Sequence, residues 1–356
     1  KYLRSNNKKN LKREILKKKN LNFDKNNLIN KFKNLEILMP VKNNEFYLKK
    51  FFPKIRNILE RNFNVTWFIY ENSSTDNTKS ILNFYFNEQN VNLNYINKYH
   101  QLNCHNKNNK NKIILEDEEI SYELFNDDNV KHIIENDSLK KENQTKIGFR
   151  CEKLAIVREK LKKLIFNNND NDYCLLLDTD IVFDIENSII PLLNAAEKNK
   201  DGVMFCTFGV TPYQKDLGYY YDTFALNYGD NIWDNRINEI LNNKFKKSNH
   251  LEILTGFGGL VLIKKDVLKK CKWSTLNETC KKYNGYKKYG ISEHYSFCDD
   301  VRKYGKIYLV KNSISVWLKD ENYINTKKLI PKVDNNIKSC LKKYKILINQ
   351  IDYETL

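Results

Sequence analysis

Two aspartates, Asp178 and Asp180, interrupt the apolar run CLLLDTDIVF at residues 174–183. The run before them has the length and composition of a buried strand, so the pair falls where such a strand ends. Ionised carboxylates are costly to take out of water, and each needs a compensating partner. A hard divalent cation is one partner for both, because it takes oxygen ligands and grips phosphates at the same time. The alternative is a pair of solvated loop carboxylates, and the surrounding residues decide between the two.

Five further segments hold residue types that can do chemistry. Glu71-Asn72-Ser73-Ser74-Thr75-Asp76-Asn77-Thr78 closes an apolar strand. Its Ser, Thr and Asp residues would cap the next helix; in the sharper reading Glu71 meets a nucleoside base or ribose while Asp76 holds the turn. Pro40, Val41 and Lys42, followed by two asparagines, end the first strand and would line the same cleft, with Lys42 in reach of a phosphate. Arg150 and Arg158 stand near the start and in the second turn of the helix before the Asp pair. Arginine contacts phosphate in a bidentate way that lysine cannot copy, although both could be surface arginines of an amphipathic helix.

The fourth segment couples YDTFAL (221–226) with Thr255-Gly256-Phe257-Gly258-Gly259-Leu260. Three of the chain's 11 glycines fall in this one turn. Such glycines serve a tight turn, or let backbone approach a ligand closely. The fifth, Ser292-Glu293-His294, opens a helix that includes Asp299 and Asp300. Glu293 is a candidate general base for an acceptor hydroxyl, or a helix-start carboxylate favoured by the dipole. His294 is a candidate metal or phosphate contact.

These segments need a frame. Apolar runs predict strands at 35–41, 65–71, 91–97, 174–183, 202–208, 260–265 and 306–310. Helical periodicity predicts helices at 45–61, 79–88, 150–164 and 187–198, and again after each of the last Gly-rich and SEH segments. Strands alternating with helices indicate an α/β single domain, a mostly parallel sheet flanked by helices. Ligands of such sheets bind beyond the carboxyl ends of the strands, where most of the listed segments lie. The domain spans 34–318, after a basic extension (1–33) holding at most a surface helix and before a C-terminal helical tail (319–356). An insertion at about 100–145 carries Lys/Asn-rich and acidic stretches with one short helix.

Composition narrows the classes. The chain has 356 residues, 41% of them hydrophobic, enough for a full core despite a mean hydropathy of −0.67. Lys and Asn are scattered throughout, as in chains from AT-rich genomes, parasites or large DNA viruses among them. The formal net charge of +17 suits phosphorylated substrates or other polyanions. No Arg-rich or aromatic-interleaved segment appears, so nucleic acid is not the expected partner. The eight cysteines form no C-x-x-C pair and read as buried free thiols of a reducing compartment, with a Cys271–Cys280 bridge left open. No apolar run is long enough to span a bilayer. A cytoplasmic or virion setting is expected, or a secretory lumen if an anchor preceded Lys1.

Taken in order, YENSSTDNT (70–78), RCEKLAIVREK (150–160), LLLDTDIVF (175–183) and YDTFAL resemble the fungal capsule α-1,3-mannosyltransferase family, over about residues 35–315. That family consists of nucleotide-sugar-dependent glycosyltransferases of the GT-A fold, a Rossmann-like α/β architecture. The resemblance implies that Glu71 contacts the base and that Arg150 or Arg158 contacts the diphosphate. It also implies that Asp178 and Asp180 bracket Mn2+ or Mg2+, with Asp180 the direct ligand and Asp178 and Thr179 on the donor side. GFGGL, with Gly258 and Gly259, and SEH are closer to general GT-A acceptor-loop and catalytic-carboxylate motifs. The implied donor is a UDP- or GDP-sugar and the acceptor a glycan or glycoprotein. Two other classes compete: a nucleotidyltransferase of similar fold, and a non-catalytic polyanion or nucleic-acid binder.

Overall fold

The computed structural model describes residues 25–72, 74–87, 113–116, 151, 154–163, 165, 172–210, 220, 225–229, 237–274 and 292–317. A helix over 25–31 (α1) leads in and sets Leu28 and Phe32 against the core. β1 (Asn34–Val41) and β2 (Asn64–Glu71) are almost continuously buried, as expected of parallel strands covered on both faces. Between them lie α2 (Glu45–Lys50) and α3 (Phe52–Glu60). The single helix expected over 45–61 is split at Phe51, because Pro53 has no N–H to continue the α2 ladder and instead starts α3. α4 (Thr78–Asn87) follows β2.

β3 (Ile113–Glu116) pairs with β2 in parallel, Phe68 with Ile113 through Glu71 with Glu116. β3 falls inside the insertion at about 100–145, where one short helix is expected; the expected strand at 91–97 and the other residues of the insertion lie outside the described residues. The helix over 154–163 (α5) precedes β4 (Tyr173–Leu177), which pairs in parallel with β1. β5 (Ile181–Val182) comes next, then a π-turn at Ile185–Ile189 capped by Asp184, and α6 (Ile190–Lys198).

The second half of the sheet is mixed. β6 (Gly202–Val210) precedes α7 (Ile237–Phe245), β7 (His250–Ile253), β8 (Leu260–Lys264), α8 (Lys265–Lys270), α9 (His294–Val301) and β9 (Lys306–Trp317). β8 lies between β4 and β6, antiparallel to both, and β6 pairs with β9 in parallel. The order is β3-β2-β1-β4-β8-β6-β9-β5, with β7 added on β9. The architecture is thus a single Rossmann-like α/β sheet, parallel through its first four strands, with helices packed against it.

β9 runs well past the expected strand at 306–310. Its continuation is masked in sequence by serines: Ser313 donates to Ser188 O at 2.5 Å and Ser315 donates to Gly258 O, so both hydroxyls are satisfied inside. At the opposite end of the sheet from the strand termini discussed below, fully buried Glu36 is paired with Lys265 at 2.8 Å and accepts from the Cys174 thiol at 3.5 Å. Cys151, Cys174, Cys206, Cys271 and Cys298 are all buried free thiols, and burial pushes Cys271 and Cys298 up to about 12. The remaining cysteines lie outside the described residues. Among the described residues, no helix is long and apolar enough to cross a membrane. The 1–24 part of the basic extension and the 319–356 tail also lie outside them.

Candidate functional site

β1 and β2 run in register from Asn34/Asn64 to Val41/Glu71, so their carboxyl ends coincide. The Asn72 N–H then donates to Val41 O at 2.9 Å, which ties Pro40, Val41 and half-buried Lys42 to the end of β2. Glu71 is fully buried; its Oε1 accepts from the Ser74 N–H at 2.7 Å. Glu71 Oε2 and Asn72 Oδ1 are both buried without a hydrogen-bond partner. Two orphaned acceptors on consecutive residues at a strand end are costly unless a ligand supplies donors.

The loops after β1 and β2 are fastened together. Asn43, at φ 50°, donates its N–H to Ser74 Oγ and accepts from the Thr75 N–H through Oδ1, both at 2.8 Å. Asp76, expected to cap the next helix or to hold the turn, bonds backbone amides of two helices. Its Oδ1 accepts from the Thr78 N–H at 3.0 Å and its Oδ2 from the Glu45 N–H at 3.1 Å, so one carboxylate caps both α4 and α2. The capping alternative is therefore the role the structure gives Asp76.

The second cluster lies at the end of β4. Asp178, Thr179 and Asp180 form the partly exposed turn between β4 and β5, and the Asp178 N–H donates to Gly259 O at 2.8 Å. Arg158, projecting from α5, donates from Nη2 to Asp178 Oδ1 at 3.0 Å and from Nε to Glu293 Oε1 at 3.3 Å. The Phe257 ring lies 4.5 Å from its Cζ. Burial opposes the guanidinium charge, but the two carboxylates outweigh it and hold Arg158 above its ordinary pKa. The hydrogen bonds of Arg158, expected with Arg150 as a candidate diphosphate contact, are to two acids. Arg150 lies outside the described residues, as do Tyr221–Phe224.

Glu293 precedes α9, and its carboxylate is nearly sealed. Oε1 also lies 3.3 Å from His294 Nε2, and Oε2 accepts from Ser292 Oγ at 3.4 Å. Burial raises the Glu293 pKa, against the pull of Arg158. His294 stacks on Phe257 at 4.2 Å between centroids. Burial, aided by the charge on Arg158, pushes its pKa well below the ordinary value. The contacts of His294 Nε2 are with Glu293 rather than with the aspartates expected to share a cation with it; Nδ1 is buried without a partner.

Gly258 and Gly259, at φ 73° and 81°, need the left-handed region that glycine tolerates. A Cβ on Gly258 would press into the Thr207 carbonyl, and one on Gly259 into Ile181 and Trp317. Gly258 O accepts from Thr207 Oγ1 at 2.9 Å and from the Ser315 hydroxyl. The close approach described at these glycines is to the sheet itself, as the tight-turn alternative has it. Gly258→Ala should lower stability by about 3 kcal/mol or more, from forced φ and overpacking together. A urea midpoint equal to that of the parent would refute this account of the turn.

Sequence reasoning passed over Phe257, Thr207 and Ser315 as working residues, although Phe257 stood inside a quoted motif. Asn72 gave no usable signal in so Asn-rich a chain. Among the described residues, no group of three or more His, Cys, Asp or Glu is placed to hold a metal.

No known protein family and no curated protein matches the chain. Among solved structures, the crystal structure of S. aureus TarS 1-349 is similar over 82% of this chain and 62% of that chain, at 10% identity and a TM-score of 0.40. This chain therefore spans less than two thirds of the length of that one. The functional reading rests on the chain's own residues.

Proposed function

We propose that the protein is a glycosyltransferase that moves a sugar from a UDP- or GDP-sugar to a hydroxyl of a glycan or glycoprotein. The observation that carries this reading is the cluster at the end of β4. An Asp-x-Asp turn at a strand's carboxyl end is joined, through one guanidinium, to a buried carboxylate 135 residues from that arginine in the chain. The orphaned oxygens of Glu71 and Asn72, at the end of β2, support a nucleoside site at the same edge of the sheet.

Asp178 and Asp180 are hard oxygen donors on a partly exposed turn, and two carboxylates with phosphate and water completing the shell suit Mg2+ or Mn2+. They would hold that cation, which when bound offsets the charge of the diphosphate leaving group. Glu71 Oε2 and Asn72 Oδ1 accept hydrogen bonds from the base or ribose. Pro40, Val41 and Lys42 line the neighbouring wall. Glu293 takes the proton of the acceptor hydroxyl as that oxygen attacks the anomeric carbon; burial makes it a stronger base than a solvated glutamate. His294, its Nε2 3.3 Å from Glu293 Oε1, packs beside the base.

A thermal-shift panel of UDP- and GDP-sugars, with and without Mn2+, tests the reading. At least one sugar nucleotide should raise the melting temperature in the presence of Mn2+ and be slowly hydrolysed. No shift and no hydrolysis across the panel would eliminate it.

A further inference from the structure

Arg158 is 5% exposed and carries its charge between two acids. Its fork spans them, Nη2 toward Asp178 Oδ1 and Nε toward Glu293 Oε1, with the Phe257 ring alongside the guanidinium. The carboxylate side chains retain 16% and 4% of their exposure. To offer Nε and Nη2 as a fork to a donor phosphate, the guanidinium would have to leave both acids, stranding poorly solvated charges. Nε and Nη2 are thus turned toward acids of the protein.

We propose that Arg158 is a positioning residue that locks Glu293 in place relative to Asp178 and contacts no phosphate of the donor. The roles of the two acids rest on the glycosyltransferase reading; the bridge itself does not. Three elements distant in sequence meet at this side chain: α5, the end of β4 and the start of α9. Arg158 touches both carboxylates directly, whereas the tie through Phe257, stacked on His294, and Gly259 O, which accepts from the Asp178 N–H, runs through ring packing and backbone and holds neither carboxylate. Small misplacements of a reacting group are expensive, about 100-fold in rate for 1 Å. Lysine cannot substitute, because one compact ammonium does not reproduce a fixed fork aimed at two carboxylates.

The experiment uses the full chain with Arg158→Lys, Arg158→Gln and the double variant Arg158→Gln/Glu293→Gln. Calorimetry with UDP and GDP in the presence of Mn2+ gives nucleotide affinity, steady-state assays separate kcat from KM, and urea melts give midpoints. Nucleotide affinity of Arg158→Lys should stay within about threefold of the parent while kcat falls about 100-fold. Arg158→Gln should lower the urea midpoint, and the double variant should regain part of the loss, because the stranded carboxylate is gone. A loss of nucleotide affinity of about tenfold or more with kcat retained would make Arg158 a phosphate ligand and overturn the proposal. Full rescue of kcat by lysine, or strictly additive midpoints, would overturn it equally. Failure of the parent to bind either nucleotide would sink the glycosyltransferase reading instead, and the midpoints would still judge the bridge.

Discussion

Glu293→Gln abolishes transfer and leaves donor binding nearly intact; this is the largest effect expected of any single change in the chain. The amide has the shape of the carboxylate, and its oxygen still accepts from Arg158 Nε, the hydrogen bond made by Glu293 Oε1. What disappears is the capacity to take a proton. General-base assistance is worth about 100- to 10,000-fold, or about 3–5 kcal/mol of barrier. The drop should therefore appear in kcat, measured by release of nucleoside diphosphate, while calorimetric donor affinity stays within about threefold. Retained kcat would remove Glu293 from the base role.

The second large effect is on donor binding. Asp180→Asn should cut Mn2+-dependent affinity for the sugar nucleotide at least tenfold, about 1.4 kcal/mol. Asparagine keeps the size of the side chain and gives up its charge, and hard cations favour carboxylate over amide oxygen. Asp178 is a poor stand-in, because its Oδ1 already faces the Arg158 guanidinium at 3.0 Å. Titrations of the donor with and without Mn2+ give the answer, and melts without ligand separate loss of the site from loss of the fold. Parent-like affinity in Mn2+ would count against a cation on this turn.

The parts of the fold most legible in the sequence are the long apolar strands. β1, β2, β4, β6 and β8 announce themselves because parallel or central strands are buried on both faces and read as unbroken apolar runs. β3 does not, because four residues in a charged neighbourhood carry too little pattern to outweigh it. β7 is equally short, and the far half of β9 hides behind Ser313 and Ser315, whose hydroxyls find acceptors that only the folded chain supplies. Pro53 was visible, yet its effect on the 45–61 helix depends on which turn it occupies.

At the site, residue types and spacing pointed to Asp178, Asp180, Glu71 and Glu293, since carboxylates at strand ends and helix starts are chemically conspicuous. The Arg158 bridge is different in kind: it joins residues 20 and 135 positions apart, a relation that no local pattern encodes. Gly258 and Gly259 show the same limit from another side. A glycine signals that something comes close, and sequence does not say whether the neighbour is a ligand or, as here, the Thr207 carbonyl and Trp317. Asp76 carried both readings openly, and its two backbone amide partners decide for the cap.

The place of β8 between β4 and β6 also sets a timetable. A chain emerging from the ribosome delivers β1, β2 and β4 early, but the free edge of β4 must wait for a strand that begins at Leu260. Until then a hydrophobic strand bearing Asp178 has an open side, the kind of edge that invites wrong partners. Glu293 comes later still. The cleft is therefore completed late in synthesis, and a chain interrupted before β8 is not a weaker catalyst but an aggregation hazard.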